Sequence, residues 1–154
     1  MHRFRFVYPA RFTPDAGGGY VVTFRDVPEA ITQGDDEEEA TSEAADALEE
    51  AIAGRMRLGE EISGPSKAEA GEYPIALPID TAAKAALYIA IHQSGLSKVE
   101  LAAQLGCDEK EVRRLLDPYH PSKLPRVQQA LEALGKRLII SMEDAAARAG
   151  GSLG

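Results

Sequence analysis

Apolar and polar residues alternate through FRFVYPARF (4–12): Phe4, Phe6, Tyr8, Ala10 and Phe12 share one face, and Arg3, Arg5 and Arg11 take the other. A period of two belongs to a strand buried on one side, and Pro9 marks an edge or an irregularity. PDAGGG (14–19) supplies a turn and YVVTF (20–24) a returning strand, so a hairpin is predicted. After a break at Asp26, Val27 and Pro28, AITQ (30–33) gives a third short strand. The period then changes. Ala40, Ala44, Ala47, Leu48, Ala51 and Ile52 recur at helical spacing, a narrow stripe whose small residues let a helix lie close on a sheet. Residues 59–72, GEEISGPSKAEAGE, read as an exposed acidic loop, and YPIALPI (73–79) as one more strand. The order β-β-β-α-β predicts an α+β domain over residues 1–79.

Residues 80–142 carry a different pattern. Asp80 is placed to cap a helix through TAAKAALYIAIHQ that ends at Gly95. Ser97 and Glu100 form an S-x-x-E capping box opening a short helix that stops at Gly106, and Asp108 and Glu111 repeat the spacing for the next, which ends before Pro118. A fourth helix runs from about Lys123 to Leu134, with Leu124, Val127, Leu131 and Leu134 inward and Gly135 after it. Between the second and third helices stand only Gly106, Cys107 and Asp108. Ala102 is small where paired helices approach, Gly106 suits an unusual backbone angle, and Leu101, Leu105, Val112 and Leu115 supply a shared core, with Cys107 in an apolar slot. The combination predicts a helix-turn-helix; a purely structural four-helix bundle is the alternative. KRLIISM (136–142) is β-like and needs a partner strand. Pairing with a second copy would give a homodimer; the alternative is packing on its own chain. Residues 143–154 are expected to be a mobile tail.

Charge divides the chain at the same place. Residues 1–80 hold 7 Lys/Arg against 17 Asp/Glu, a net −10, while residues 81–154 hold 10 against 8, a net +2. The halves therefore favour partners of opposite sign. In helix-turn-helix geometry the start of the second helix enters the major groove. Asp108, Glu109, Lys110, Arg113 and Arg114 face outward there. Arg113 or Arg114 is suited to guanine O6 and N7, and Glu109 either accepts from a cytosine amino group or acts only in capping the helix. Asp108 has two roles open to it, helix cap or base reader. Lys98, His120, Ser122 and Lys123 are placed for phosphate contact at the flanks. A two-fold dimer implies operator DNA with inverted half-sites about one turn apart.

DVPEAITQGDDEEEA (26–40), continuing into EAADALEEAI (43–52), resembles the N-terminal signature of HicB-type antitoxins. LAAQLGCDEKEVRRLLDPYHPSKLPRVQQALEALGKRL (101–138) is similar to the helix-turn-helix tail of the longer members of that family. The resemblance implies a truncated ribonuclease H-like fold without catalysis, followed by a lambda-repressor-like helix-turn-helix domain. It also implies neutralisation of a small HicA-type, RNA-cleaving toxin and repression of the shared promoter. A toxin that grips RNA is basic, so the acidic N-terminal half attracts it and competes with its substrate. Phe24, Arg25, Asp26, Gly34 and Asp35, with the acidic helix, are the candidate toxin surface.

Other chemistry is not expected. A ribonuclease H centre needs several carboxylates converging on metal ions, and the first strand offers none. His2, His92 and His120 have no ligand spacing, and no phosphate-binding glycine loop is present, so no metal, cofactor or enzymatic activity is predicted. A single cysteine and the lack of an apolar run near 20 residues fit a soluble protein of the cytoplasm. The rival reading is a stand-alone helix-turn-helix regulator whose acidic domain oligomerises or senses a ligand.

Overall fold

A computed structural model of the chain describes residues 3–145. His2, and the expected tail from residue 146 onward, lie outside the described residues. The chain resolves into two compact units. One contains the N-terminal residues through Ile52 together with Ser63–Pro78; the other contains Ala53–Ile62 and Ile79–Ser141.

In the first unit, β1 (Val7–Pro14), β2 (Tyr20–Phe24), β3 (Ile31–Gly34) and β4 (Glu72–Ala76) form a sheet in the order β3-β2-β1-β4, antiparallel throughout. Helix α1 (Glu37–Leu58) enters between β3 and β4 in sequence, giving the predicted β-β-β-α-β order. The register sets Ala10 beside Phe24 and Tyr73, Phe12 beside Val22, and Tyr8 beside Ile75, so all seven side chains share one face. All are buried, and the Phe12 and Tyr73 rings stack at 4.1 Å. The α1 residues Ala40, Ala44, Leu48 and Ile52, one stripe at helical spacing, are fully buried in the same unit. Gly34 shows how tightly α1 begins. A Cβ there would lie 2.3 Å from the Ala40 nitrogen.

Two local expectations change. β1 starts at Val7, so Phe4 and Phe6 precede it, half-buried and stacked on each other at 6.0 Å. Glu72 is not the end of an exposed loop but the first residue of β4, and it is 1% exposed. Its burial is possible because Arg25 and the Glu69 amide satisfy the carboxylate.

The second unit is helical: α2 (Ile79–Ser94), α3 (Lys98–Leu105), α4 (Glu109–Leu116) and α5 (Leu124–Ala133). Asp80 therefore lies inside the first turn of α2, where its charge suits the helix dipole, rather than at the cap. One core cluster joins Ala83, Leu87 and Ala90 of α2 to Leu115, Val127, Ala130 and Leu131; a second joins Ile91 to Leu101, Ala102 and Val112. Residues 136–142 form no strand. Leu138 packs against the first cluster, while Ile139 and Ile140 are 64% and 72% exposed. A lone segment has no ladder partner, and of residues 136–142 Leu138 alone is half-buried among the described residues.

Candidate functional site

The pair α3 and α4 is fixed by local rules at each end. Ser97 Oγ accepts from the Glu100 amide at 3.1 Å and Glu100 Oε1 from the Ser97 amide at 3.2 Å, completing the capping box. Gly106 ends α3 in the left-handed region at φ 67°, and no residue other than glycine has positive φ among the described residues. Cys107 packs beside the α3–α4 core, and burial pushes its thiol pKa up. Asp108 caps α4, its Oδ1 accepting from the Glu111 amide at 2.8 Å. The Glu111 side chain does not complete a second box; it accepts from Arg126 Nε of α5 at 2.7 Å.

Val112 and Leu115 point into the core, which leaves Lys110, Arg113 and Arg114 exposed. Arg113 is engaged along its own helix, with Nη2 2.6 Å from Glu109 Oε1. Lys98 stands exposed at the first turn of α3. His120, Ser122 and Lys123 lie on the α4–α5 connection, where the Lys123 carbonyl accepts the first α5 amides. The structure thus gathers Lys110, Arg113 and Arg114 on one short helix, and puts Lys98 and the 120–123 connection on its flanks.

One contributor escapes the sequence pattern. Lys84 sits within the apolar run of α2, 3% exposed, and donates from Nζ to the carbonyls of Arg114 at 3.0 Å, Asp117 at 2.7 Å and His120. It satisfies carbonyls that the end of α4 leaves without helical partners. Burial lowers its pKa, opposed by Asp117 and Asp80. The only signal in the sequence is a single lysine among buried-type residues.

In the first unit, Phe24 is 2% exposed and Gly34 is buried against α1, so both serve packing and present no side chain outward. Arg25 grips Glu72 through Nε at 2.9 Å and Nη2 at 3.0 Å, and also donates to the Lys67 carbonyl. That hydrogen bond is the main reason the Glu72 pKa is lowered, against the opposing effect of burial. Asp26 accepts from the Ser66 amide at 2.8 Å and from its hydroxyl. Arg25 and Asp26 therefore tie down the 63–72 segment, and Asp35 is exposed before α1. On α1, Glu39, Glu43, Asp46 and Glu50 are all exposed. At 100° per residue they form a stripe opposite Ala44 and Leu48.

Among the described residues no group of three or more His, Cys, Asp or Glu is arranged to hold a metal ion, and no helix is long and apolar enough to cross a membrane.

Comparison with known proteins gives a consistent result. Residues 7–86 match the family model described as HicB_like antitoxin of bacterial toxin-antitoxin system. The chain is 39% identical over 135 residues to Antitoxin HicB of Escherichia coli (strain K12), covering 88% of this chain and 98% of that protein. It is 37% identical over 145 residues to Antitoxin HicB 1 of Photorhabdus laumondii, covering 92% of each. Antitoxin HicB of Pseudomonas fluorescens (strain Pf0-1) is 36% identical over 129 residues, 83% of this chain and 88% of that protein.

Proposed function

The chain belongs to the HicB-like antitoxins of bacterial toxin–antitoxin systems, and from that premise we propose that it neutralises a HicA-type, mRNA-cleaving toxin and represses its own operon through α3 and α4. By family it is an antitoxin. The finer assignments are a truncated ribonuclease H-like fold for the sheet unit and a lambda-repressor-like helix-turn-helix for the helical unit.

The observation that carries the DNA half is the outer face of α4. Its apolar residues are consumed by the core, its N-terminus is capped by Asp108, and Lys110, Arg113 and Arg114 remain exposed. Such a helix presents bidentate donors to guanine in the major groove. Asp108 acts as the cap, Glu109 holds Arg113 until DNA competes for it, and Lys98, His120, Ser122 and Lys123 bind flanking phosphates. The toxin half rests on charge. An RNA-gripping toxin is basic, and the Glu39-Glu43-Asp46-Glu50 stripe, with Asp35, Arg25 and Asp26 nearby in sequence, offers it a surface of opposite sign. Phe24 and Gly34 support that surface from beneath. The protein works in the cytoplasm as a homodimer, through residues 136–142, on an operator with inverted half-sites.

The test is co-expression with the adjacent small reading frame, followed by affinity purification, a growth assay and footprinting of the upstream DNA. A tight complex, rescue from a toxic neighbour and a two-fold footprint are expected. A neighbour that is neither toxic nor bound leaves only the DNA-binding half.

A further inference from the structure

The helical unit contains a groove of about 930 Å³ in which two proposed DNA contacts, Lys98 and Arg113, stand beside residues with no role in that function. Its walls come from the last turn of α1, the end of α2, the start of α3 and the end of α4. Arg57, Lys98 and Arg113 line it against one carboxylate, Asp117. That carboxylate is already occupied, since Asp117 Oδ1 accepts from the Tyr119 amide at 2.9 Å. The Arg57 guanidinium lies over the half-exposed Tyr119 ring, 6.0 Å from its centre. A cation–π contact restricts the long side chain without neutralising it. The backbone beneath Arg57 is fixed too. Gly59 ends α1 at φ 72°, the Glu60 amide returns to the Arg55 carbonyl at 2.9 Å, and the Tyr88 hydroxyl donates to the Glu60 carbonyl at 2.7 Å.

We infer that this groove is a phosphate site, occupied by the sugar–phosphate backbone of operator DNA, and that Arg57 is a DNA contact lying outside the helix-turn-helix. The inference rests on the DNA-binding reading of α4. Three observations carry it. The groove presents cations in a three-to-one excess. Two of them, Lys98 and Arg113, lie on α3 and α4, so the groove is continuous with the DNA-facing surface. Ser97 and Lys98, at the capped start of α3, line the same space, and the positive end of a helix favours an anion nearby. Charge also selects among occupants: a basic toxin is repelled here, and a polyanion is attracted. Phosphate entry also gives Arg113 a competitor to Glu109, coupling backbone contact to release of a base-reading side chain.

The test uses the full chain with two duplexes, one carrying the footprinted operator and one of scrambled sequence. Affinity is measured by fluorescence anisotropy across a salt series for the native protein, Arg57→Ala, Arg57→Lys and Arg114→Ala. Arg57→Ala is expected to weaken both duplexes by the same factor, to reduce the slope of log affinity against log salt by about 0.9 per protomer, and to leave melting unchanged because the side chain is exposed. Arg57→Lys restores the slope. Arg114→Ala instead weakens the operator more than the scrambled duplex. An unchanged slope in Arg57→Ala, with native operator binding intact, overturns the groove assignment and leaves the DNA-binding reading standing. Failure of the native protein to bind either duplex overturns both. Inorganic phosphate is titrated in parallel by NMR. Saturable shifts at Arg57 and Tyr119 with an unchanged DNA slope would assign the groove to a free anion and overturn the backbone commitment.

Discussion

The Lys84 ammonium, projecting from α2, lies 2.7 Å from the carbonyl oxygen of Asp117, the residue that ends α4. The same nitrogen holds the Arg114 carbonyl at 3.0 Å, so one buried charge fixes the backbone of a proposed base reader and of the turn that follows it. Lys84→Met keeps the stem and removes the donor. Leaving these part-buried carbonyls without their donor costs up to about 1–3 kcal/mol, the penalty for a fully buried group. The expected result is a lower melting temperature, faster amide exchange over residues 114–120, and weaker operator binding. Unaltered exchange in that segment would remove Lys84 from the account of how α4 is held.

The Glu109–Arg113 pair, at 2.6 Å, makes a second prediction about DNA. Glu109→Gln frees Arg113 and removes a negative charge facing phosphate, so non-specific affinity should rise at low salt. Arg114→Ala should lower operator affinity by about 1–3 kcal/mol, roughly five- to 150-fold, the worth of one bidentate base contact. Arg113→Ala should weaken the operator as well. All three variants should neutralise the toxin like the native chain in a growth assay, because the residues changed belong to the helical unit.

Glu72 gives the sheet unit an acid-sensitive point. Its native pKa is lowered from the ordinary value of 4.5, chiefly by the Arg25 hydrogen bond. The unfolded chain therefore takes up this proton first as pH falls, and linkage makes stability drop with it. The contribution is complete above about pH 4.5 and is lost as pH falls through the native pKa. Glu72→Gln should flatten that part of the curve in denaturant melts at successive pH values, and should loosen the segment held through Lys67 and Glu69.

Gly34→Ala tests the corner where β3 meets α1. The new Cβ would meet the Ala40 nitrogen at 2.3 Å and its Cα at 2.6 Å, and both neighbours are backbone. Overpacking of this kind costs about 1–3 kcal/mol. Chemical denaturation of the variant should show that loss, whereas Gly17→Ala, with nothing nearer than 3.7 Å, should show little.

Ile139 and Ile140 are solvent-exposed in the single chain, at 64% and 72%. If residues 136–142 pair across a two-fold axis, Ile140→Glu should shift sedimentation from dimer to monomer. Operator affinity should fall while the helical core, which Leu138 joins, stays folded. A variant that remains dimeric would place the interface elsewhere.

Much of this protein was written locally. The strand and helix order, the Ser97–Glu100 capping box, the Gly106 turn and the inward Val112 and Leu115 follow from periodicity and capping chemistry, which depend on near neighbours in sequence. The resemblance to HicB-type antitoxins was likewise carried by contiguous stretches. What the sequence by itself could not decide is how polar groups distant along the chain are matched. Glu72 reads as one more loop acid until Arg25, 47 residues away, is brought beside it. Lys84 is only a single lysine in an apolar run until the α4 carbonyls arrive 30 or more residues later. Phe24 and Gly34 read as surface candidates until β2, β3 and α1 close over them. A buried charge is tolerable only where its partners converge, and convergence is a property of the folded chain.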